Sequence, residues 1–556
     1  MIKTLDLKIG KSSKAPLDNV KTTSVNLFIG PSNSGKSTLL AEILRYCRSG
    51  SYSEDDLLLN TIEFAAIESK AAAEKVERIT LLPAGGESIP VDHIIVGDEK
   101  SRIQVAQSTL LTVLQNPNTN SEYFCEWFLK FQTLVVDAKT RIALTEPQPV
   151  GDLDKPKRSN LQVLFRNNDK RKLLRSIVAN TFGRYLVVDP TNLGYLRYRL
   201  SDSAPQNVVE ECGIHVQAVE FHQQAALVEE QNDGIRSFIG IITEVIAGDH
   251  AVLLIDQPEA FLSPQLAFAL GNELVKAAEK VEKKIFIATD SLPFVMGCLN
   301  SNSPVNMVRL TNQFGNSTAR LLTNKNIGGL VKNPLLHSFD LLRALFYDFA
   351  IVTISAASRA FYQEINERLI NSNSNVGIKN CLFLSAQDNQ TAKTIVQSLR
   401  VLGIPTALIV DIDIINDTGE IWTNVMKSVF IPQSERQELA ELRRTVKSSF
   451  DESGKDIKQD GGIELLEKSH KVAAKKLVDD LAEYGLFVVY VGELESWLSD
   501  LGATGRDAAW LSDIFHKMGD DPDSLNYAKP SKGDVWDFLA NIRKWLIRNS
   551  RKGMPV

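Results

Sequence analysis

The chain has 556 residues, room for about two to four domains, and its 44% hydrophobic and 23% charged content is that of an ordinary globular protein. A net charge of −6 removes any global basic pull toward nucleic acid or a membrane surface, so a nucleic-acid contact has to come from local basic patches. Five cysteines (Cys47, Cys125, Cys212, Cys298, Cys381) are scattered, which argues against a disulfide framework and a Cys-based zinc site and for a reducing cytoplasm. No apolar run approaches the length of a membrane span.

In chain order, Met1 leads into an alternating strand over residues 1–10 rather than a signal peptide, followed by a polar connection over 11–23. Val25–Ile29 is a run of branched and aromatic residues that predicts a buried strand. Gly30, Pro31, Ser32, Asn33, Ser34, Gly35, Lys36 and Ser37 then fit G-x-x-x-x-G-K-[ST] without a mismatch, and Thr38 and the apolar spacing of Leu39, Leu40, Ile43 and Leu44 continue as a helix. Strand, glycine loop and helix in that order are what a phosphate loop requires. Backbone N–H groups turn inward around phosphates, Lys36 reaches the β- and γ-phosphates, and Ser37 offers a hydroxyl to Mg²⁺. These residues imply binding of a nucleoside triphosphate.

Residues 48–60 read as a loop, Ile67–Val76 as a helix and His93–Val96 as a strand. Phe131–Leu144 reads as a hairpin turning at Asp137, Ala138 and Lys139, and Thr145–Ser159 as a loop broken by prolines. Arg166, Lys170, Arg171, Lys172 and Arg175 form a basic helical patch, read as a solvated face in preference to a nucleic-acid contact. Gln231, Asn232, Asp233 and Gly234 open an apolar helix and offer a second anion-binding turn, although such a turn is more often only a cap. Ala251–Ile255 is a wholly apolar central strand ending in Asp256, Gln257, Pro258 and Glu259, which makes Asp256 the natural metal partner of Ser37. A further core strand, Lys284–Ala288, ends in Thr289, Asp290 and Ser291.

QNDGIRSFIGIITEVIAG, LLIDQPEAFLSP and IATDSLPF together resemble the signature, Walker B and switch motifs of ATP-binding-cassette ATPases, nearest to the SMC-like branch that includes the OLD (overcoming lysogenization defect) class. The resemblance covers roughly residues 1–330 and implies an ABC/SMC-like ATPase domain over 1–335 that uses ATP with Mg²⁺. It implies that Lys36, Asp256 and position 257 serve catalysis. Asn232, Asp233 and Gly234 would contact the γ-phosphate held by another protomer, giving a homodimer or higher assembly around ATP, and Asp290 would stand in the switch. Two residues depart from the family pattern: Gln257 replaces the usual Glu and Asp290 the usual His. An amide cannot accept a proton from water, so hydrolysis should be slow, with Glu259 as the alternative base. Gln257 fits either a naturally slow ATPase or a near-isosteric substitution that traps the ATP-bound state, the second being favoured.

Beyond residue 335, strands at Phe349–Thr353, Asn380–Leu384 and Thr406–Val410 alternate with helices at Ser358–Leu369 and Thr391–Leu402, and a later strand spans Leu486–Val491. The fold class expected is therefore α/β throughout, with 336–500 a parallel domain and 501–556 a C-terminal helical segment. Asp411 and Asp413 follow the third strand, and Glu493 and Glu495 the last, as acids at strand ends that bind Mg²⁺ for phosphodiester cleavage do. This domain resembles the Toprim domain of OLD-type nucleases. Where that family has an acid, a Gly and a second acid, this chain has Ile354, Ser355 and Ser358, so the resemblance implies a degenerate domain and Asp411 and Asp413 a residual site. The expectation is an ATPase subunit of a bacterial anti-phage system, similar to retron- and Septu-associated ATPases, that gates or scaffolds a separate effector nuclease. The alternatives are a self-sufficient Toprim endonuclease and an SMC-like repair ATPase, the latter disfavoured by the lack of long heptads between Ser37 and Asn232.

Overall fold

The computed structural model describes residues 1–12, 15–98, 100–152, 159–313, 315–322, 341–372, 375–417 and 419–555. The chain divides into two compact units, Met1–Asn324 and Lys325–Val556. The boundary expected at 335/336 and residues 153–158 of the proline-broken loop lie outside the described residues.

The first unit is built on a six-stranded sheet in the order Asn316–Leu322, Val305–Gln313, Val25–Ile29, Lys284–Ala288, Val252–Asp256, Thr133–Val136. Every neighbouring pair is parallel except the outer hairpin of Val305–Gln313 with Asn316–Leu322. The three inner strands are apolar at nearly every position because both faces are covered, so period-2 alternation is absent. Register sets the site: Asp256 lies opposite Ala288, and Ala288 opposite Phe28. Gly30, Gln257 and Thr289 therefore leave the sheet along one edge, the carboxyl edge where ligands of open parallel sheets bind.

Three sequence expectations change here. The polar connection over 11–23 contains a strand, Ala15–Lys21, paired antiparallel with Ile2–Ser12; only Val20 of it is buried, so its sequence carries no apolar face. The stretch 48–60 is not loop throughout, since a strand begins at Leu59 and pairs with Ile2–Ser12. Phe131–Leu144 is not a hairpin: Thr133–Val136 pairs parallel with Val252–Ile255, and Ala138–Ala143 is a helix. Asp137, read as a turn residue, caps that helix by accepting from Thr140 N at 2.7 Å.

The basic patch is also rearranged. Arg171, on the helix Asn168–Phe182, is buried, and its Nε donates to Glu211 Oε2 at 2.9 Å, while Arg175 pairs with the other oxygen of the same buried carboxylate. Two of the five cations thus neutralise one interior acid, and Lys172 alone of the five is exposed. The helix Asp233–Ala247 is buried along almost its whole length, as its all-round apolar sequence requires.

The second unit is a four-stranded parallel sheet in the order Cys381–Ser385, Phe349–Thr353, Thr406–Asp411, Leu486–Val489, with helices Ala356–Asn371 and Asn389–Val401 in the crossovers. The expected C-terminal helical segment carries the helices Asp507–Met518 and Asp534–Ile547. Trp510, Phe538 and Trp545 pack into the same core as Phe361 and Phe487, and Trp497 Nε1 donates to Tyr362 Oη at 2.9 Å inside it. Among the described residues no helix is long and apolar enough to cross a membrane.

Glu42, on the helix Lys36–Ser49, is 1% exposed and accepts from the backbone N–H groups of Leu57, Leu58 and Leu59 at 2.8, 3.0 and 2.7 Å. Removing that carboxylate leaves buried donors unpaired. Glu42→Ala is expected to lower stability by about 3 kcal/mol or more in urea unfolding, and Glu42→Gln by less, because the amide oxygen still accepts.

Candidate functional site

The loop between Val25–Ile29 and Lys36–Ser49 depends on backbone conformations that side chains resist. Gly30 has φ 142° and Gly35 φ 94°, and Asn33 carries a positive φ of 63°. A Cβ on Gly30 would lie 2.0 Å from Leu310 O, so that glycine is sterically required, while at Gly35 it is the positive φ that resists a side chain. Gly35 caps the helix without a side-chain hydrogen bond, which leaves first-turn N–H groups for an anion. Pro31 and Ser34 are buried, the Ser34 hydroxyl without a hydrogen-bond partner, while Ser32, Asn33, Ser37 and Thr38 are exposed. Lys36 Nζ folds back to donate to Gly30 O at 2.9 Å and Pro31 O at 2.8 Å. Burial lowers its pKa, and Asp290, Asp256 and Glu259 oppose that shift. Two neutral carbonyls are weaker partners for an ammonium than phosphate oxygens, and the cradle fits a polyphosphate.

Asp256 closes the other side. Ser37 Oγ donates to Asp256 Oδ1 at 3.1 Å, so a hydroxyl from the first turn of the helix Lys36–Ser49 and a carboxylate from a strand end converge as Mg²⁺ ligands beside a phosphate loop do. Gln257 follows with φ 48°; its N–H donates to Ala288 O at 2.8 Å and its side chain is exposed. Glu259 Oε1 accepts from Thr289 Oγ1 at 2.9 Å, and its Oε2 is buried without a partner. Burial, with the charge of Asp290 adding, pushes Glu259 up to about 6. Asp290 is exposed at the same edge.

Asn232 and Asp233 are exposed at the start of the helix Asp233–Ala247, where Asn232 Oδ1 accepts from Ile235 N at 3.0 Å as a cap. Among the described residues no hydrogen bond joins Asn232, Asp233 or Gly234 to residues 30–37. Sequence reading missed Arg141, which is 1% exposed and donates from Nη2 to Asp256 O at 2.7 Å and from Nη1 to Gln257 O at 2.8 Å. Its one signal was a cation set inside an apolar run after an edge strand. It missed Thr289 as well, whose role appears only once strand register is known.

In the second unit, Asp411 and Asp413 do meet at a strand end, but a lysine lies between them. Lys458 Nζ is 3.4 Å from Asp411 Oδ2 and 2.7 Å from Asp413 Oδ2. Burial raises the pKa of Asp411 while Lys458 opposes it, and the two acids raise that of Lys458 against its own burial. Burial, then Glu495, raises Glu493; Glu495 accepts from Asp507 N at 2.9 Å. Ser355 and Ser358 hydrogen-bond each other at 2.8 Å beside Ile354 and provide no carboxylate. Among the described residues no group of three or more His, Cys, Asp or Glu is placed to hold a metal ion. Asp411 and Asp413, the acids expected as a residual metal site, form an ion-paired triad with Lys458.

The first unit is thus an α/β sheet with a glycine loop and an acidic strand end on one edge. No protein-family model matches the chain, and no curated protein matches it in sequence. Among solved structures it is similar to an Smc head bound to the C-winged helix domain of ScpA, at 11% identity over 59% of this chain and 99% of that one, TM-score 0.33. It is also similar to the SMC head domain of Thermotoga maritima, at 10% identity over 58% and 98%, TM-score 0.28. A third is the ADP conformation of an ATP-binding cassette of an ABC transporter, at 14% identity over 61% and 98%, TM-score 0.25.

Because the Glu259 pKa is raised to about 6 in the folded chain, the stability this acid contributes is present below its ordinary value of 4.5 and lost as pH rises through 6. Glu259→Gln is expected to leave Tm near that of the native chain at pH 4.5. At pH 7.5, without nucleotide, it should raise stability by up to about 2 kcal/mol, read from paired melting curves.

Proposed function

We propose that the first unit is an ABC/SMC-type ATPase head that binds ATP with Mg²⁺ and hydrolyses it slowly. The observation that carries this reading is the 3.1 Å hydrogen bond of Ser37 Oγ to Asp256 Oδ1, which joins a phosphate-loop serine to a strand-end acid 219 residues away. In this reading the loop amides and Lys36 hold the phosphates, Ser37 and Asp256 hold the metal, and Gln257 orients water without taking its proton. Bound Mg²⁺ supplies charge neutralisation at the phosphates. Exposed Asn232 and Asp233 are free to meet nucleotide on a second copy of the chain, which supports an ATP-sandwiched dimer. The cysteines are free, which suits a cytoplasmic protein.

The second unit is, in the same proposal, a degenerate Toprim-like scaffold of the OLD class that restrains a separate nuclease in anti-phage defence. Lys458 between Asp411 and Asp413 supports it, as does Ile354 where the resemblance calls for an acid. The self-sufficient endonuclease is the second reading, because Asp413 and Glu495 help raise the pKa of Asp411, and Glu495 and Asp411 that of Glu493.

Lys36→Ala is expected to abolish measurable Mg²⁺-dependent ATP binding in equilibrium titration, and unchanged affinity would refute the phosphate-loop assignment. Gln257→Glu is expected to raise hydrolysis by roughly 10²–10⁴-fold, the contribution of a positioned general base; an unchanged rate would move that role to Glu259. The purified chain is expected to leave DNA and RNA intact with Mg²⁺ or Mn²⁺ and any nucleotide. Cutting that disappears in the double variant Asp411→Ala, Asp413→Ala would restore the endonuclease reading.

A further inference from the structure

Arg141 is a buried cation whose described hydrogen bonds all end on backbone carbonyls: Nε on Asp137 at 3.0 Å, Nη1 on Gln257 at 2.8 Å and Nη2 on Asp256 at 2.7 Å. A guanidinium is a planar fork of donors, so it brackets two consecutive carbonyls where an ammonium satisfies one direction at a time. The bracketed carbonyls belong to the strand-end acid and to Gln257, whose φ of 48° is costly for a residue with a side chain and needs outside support.

The other side of Arg141 faces the helix Asp233–Ala247. A Cβ on Gly240, in the middle of that helix, would lie 2.0 Å from Arg141 O, so only glycine permits this approach. One turn earlier, Arg236 Nε donates to Thr145 Oγ1 at 3.2 Å, which ties the helix to the same short segment a second time. A single residue therefore touches the nucleotide turn with its side chain and the buried helix with its backbone.

We infer that Arg141 is a positioning residue that couples the helix Asp233–Ala247 to the Asp256–Gln257 turn, so that the state of one is felt at the other. This rests on the ATP-site reading of the preceding subsection. Arg141 has no described hydrogen bond to residues 30–37, so ATP affinity and coupling are separable.

The test compares the full chain with Arg141→Lys, Gly240→Ala and the double variant. Hydrogen–deuterium exchange is followed with and without ATP and Mg²⁺, beside titration with a fluorescent ATP analogue and single-turnover hydrolysis. In the native chain ATP is expected to slow exchange over both 30–38 and 233–247. Each single variant should keep ATP affinity within about threefold and the protection of 30–38. Each should also lose the ATP-dependent protection of 233–247 and hydrolyse about tenfold more slowly at saturating ATP. Acting through one link, the two changes together should be no slower than the worse single.

Helix protection retained in the variants, a helix insensitive to ATP in a native chain whose loop is protected, or multiplicative losses in the double variant would each overturn the coupling. If Arg141→Lys fails to fold, Gly240→Ala decides by the same exchange criterion. Failure of the ATP-site reading looks different: residues 30–38 gain no protection in the native chain, and Lys36→Ala binds the analogue as the native chain does.

Discussion

One ammonium group, that of Lys36, shares the carboxyl edge of the central sheet with the carboxylates of Asp256, Glu259 and Asp290. Without phosphate it is held by two backbone carbonyls, half out of water, and the acids offset what burial costs it. The rest of the first unit serves to keep these charges on one edge. Parallel register sets Asp256 beside Ala288 and Ala288 beside Phe28, and apolar strands buried on both faces prevent a slip by one residue. The glycines at 30 and 35 then let the loop turn back over the ammonium without collision.

The second unit meets a related problem with the opposite outcome. Asp411 and Asp413 also stand at a strand end, half exposed, where two like charges repel and attract a cation. Lys458 is that cation, and it is covalently part of the chain. A divalent ion would have to displace an ammonium whose effective concentration is fixed by the fold, and the neighbouring serines at 355 and 358 offer it no charge in return. At the first site the lysine is held by two neutral carbonyls; at the second it is held by the acids themselves.

Much of this was legible in the sequence where the signal is local. The phosphate loop, the strand ending at Asp256 and the alternating elements of the second unit are each set by short-range pattern. What was not legible depends on partners distant in sequence. Ala15–Lys21 is an edge strand exposed at almost every position, so it carries no apolar alternation to read. Asp137 satisfies turn and cap chemistry equally, and only the parallel partner Val252–Ile255 decides between hairpin and strand–helix. Arg171 and Arg175 read as surface because their shared acid, Glu211, lies 40 and 36 residues further on. Lys458 escaped for the same reason, since it is 47 residues from Asp411 and follows no motif.

The residue at position 257 is best understood through this charge arrangement. Its backbone is fixed independently of its side chain: Ala288 accepts from its N–H, and Arg141 and Ala260 N donate to its carbonyl. The side chain itself is exposed. An exchange between amide and carboxylate therefore alters the charge of the edge without altering its shape. A carboxylate there would place another negative charge in a region where burial and Asp290 already raise the Glu259 pKa to about 6. Gln257 keeps the edge less negative; under the proposed function that would favour retention of an anionic nucleotide, at the expense of a proton acceptor for hydrolysis. In the proposed ATP-site reading, slow turnover and firm binding would be two consequences of one neutral side chain on a backbone that Arg141 holds in place.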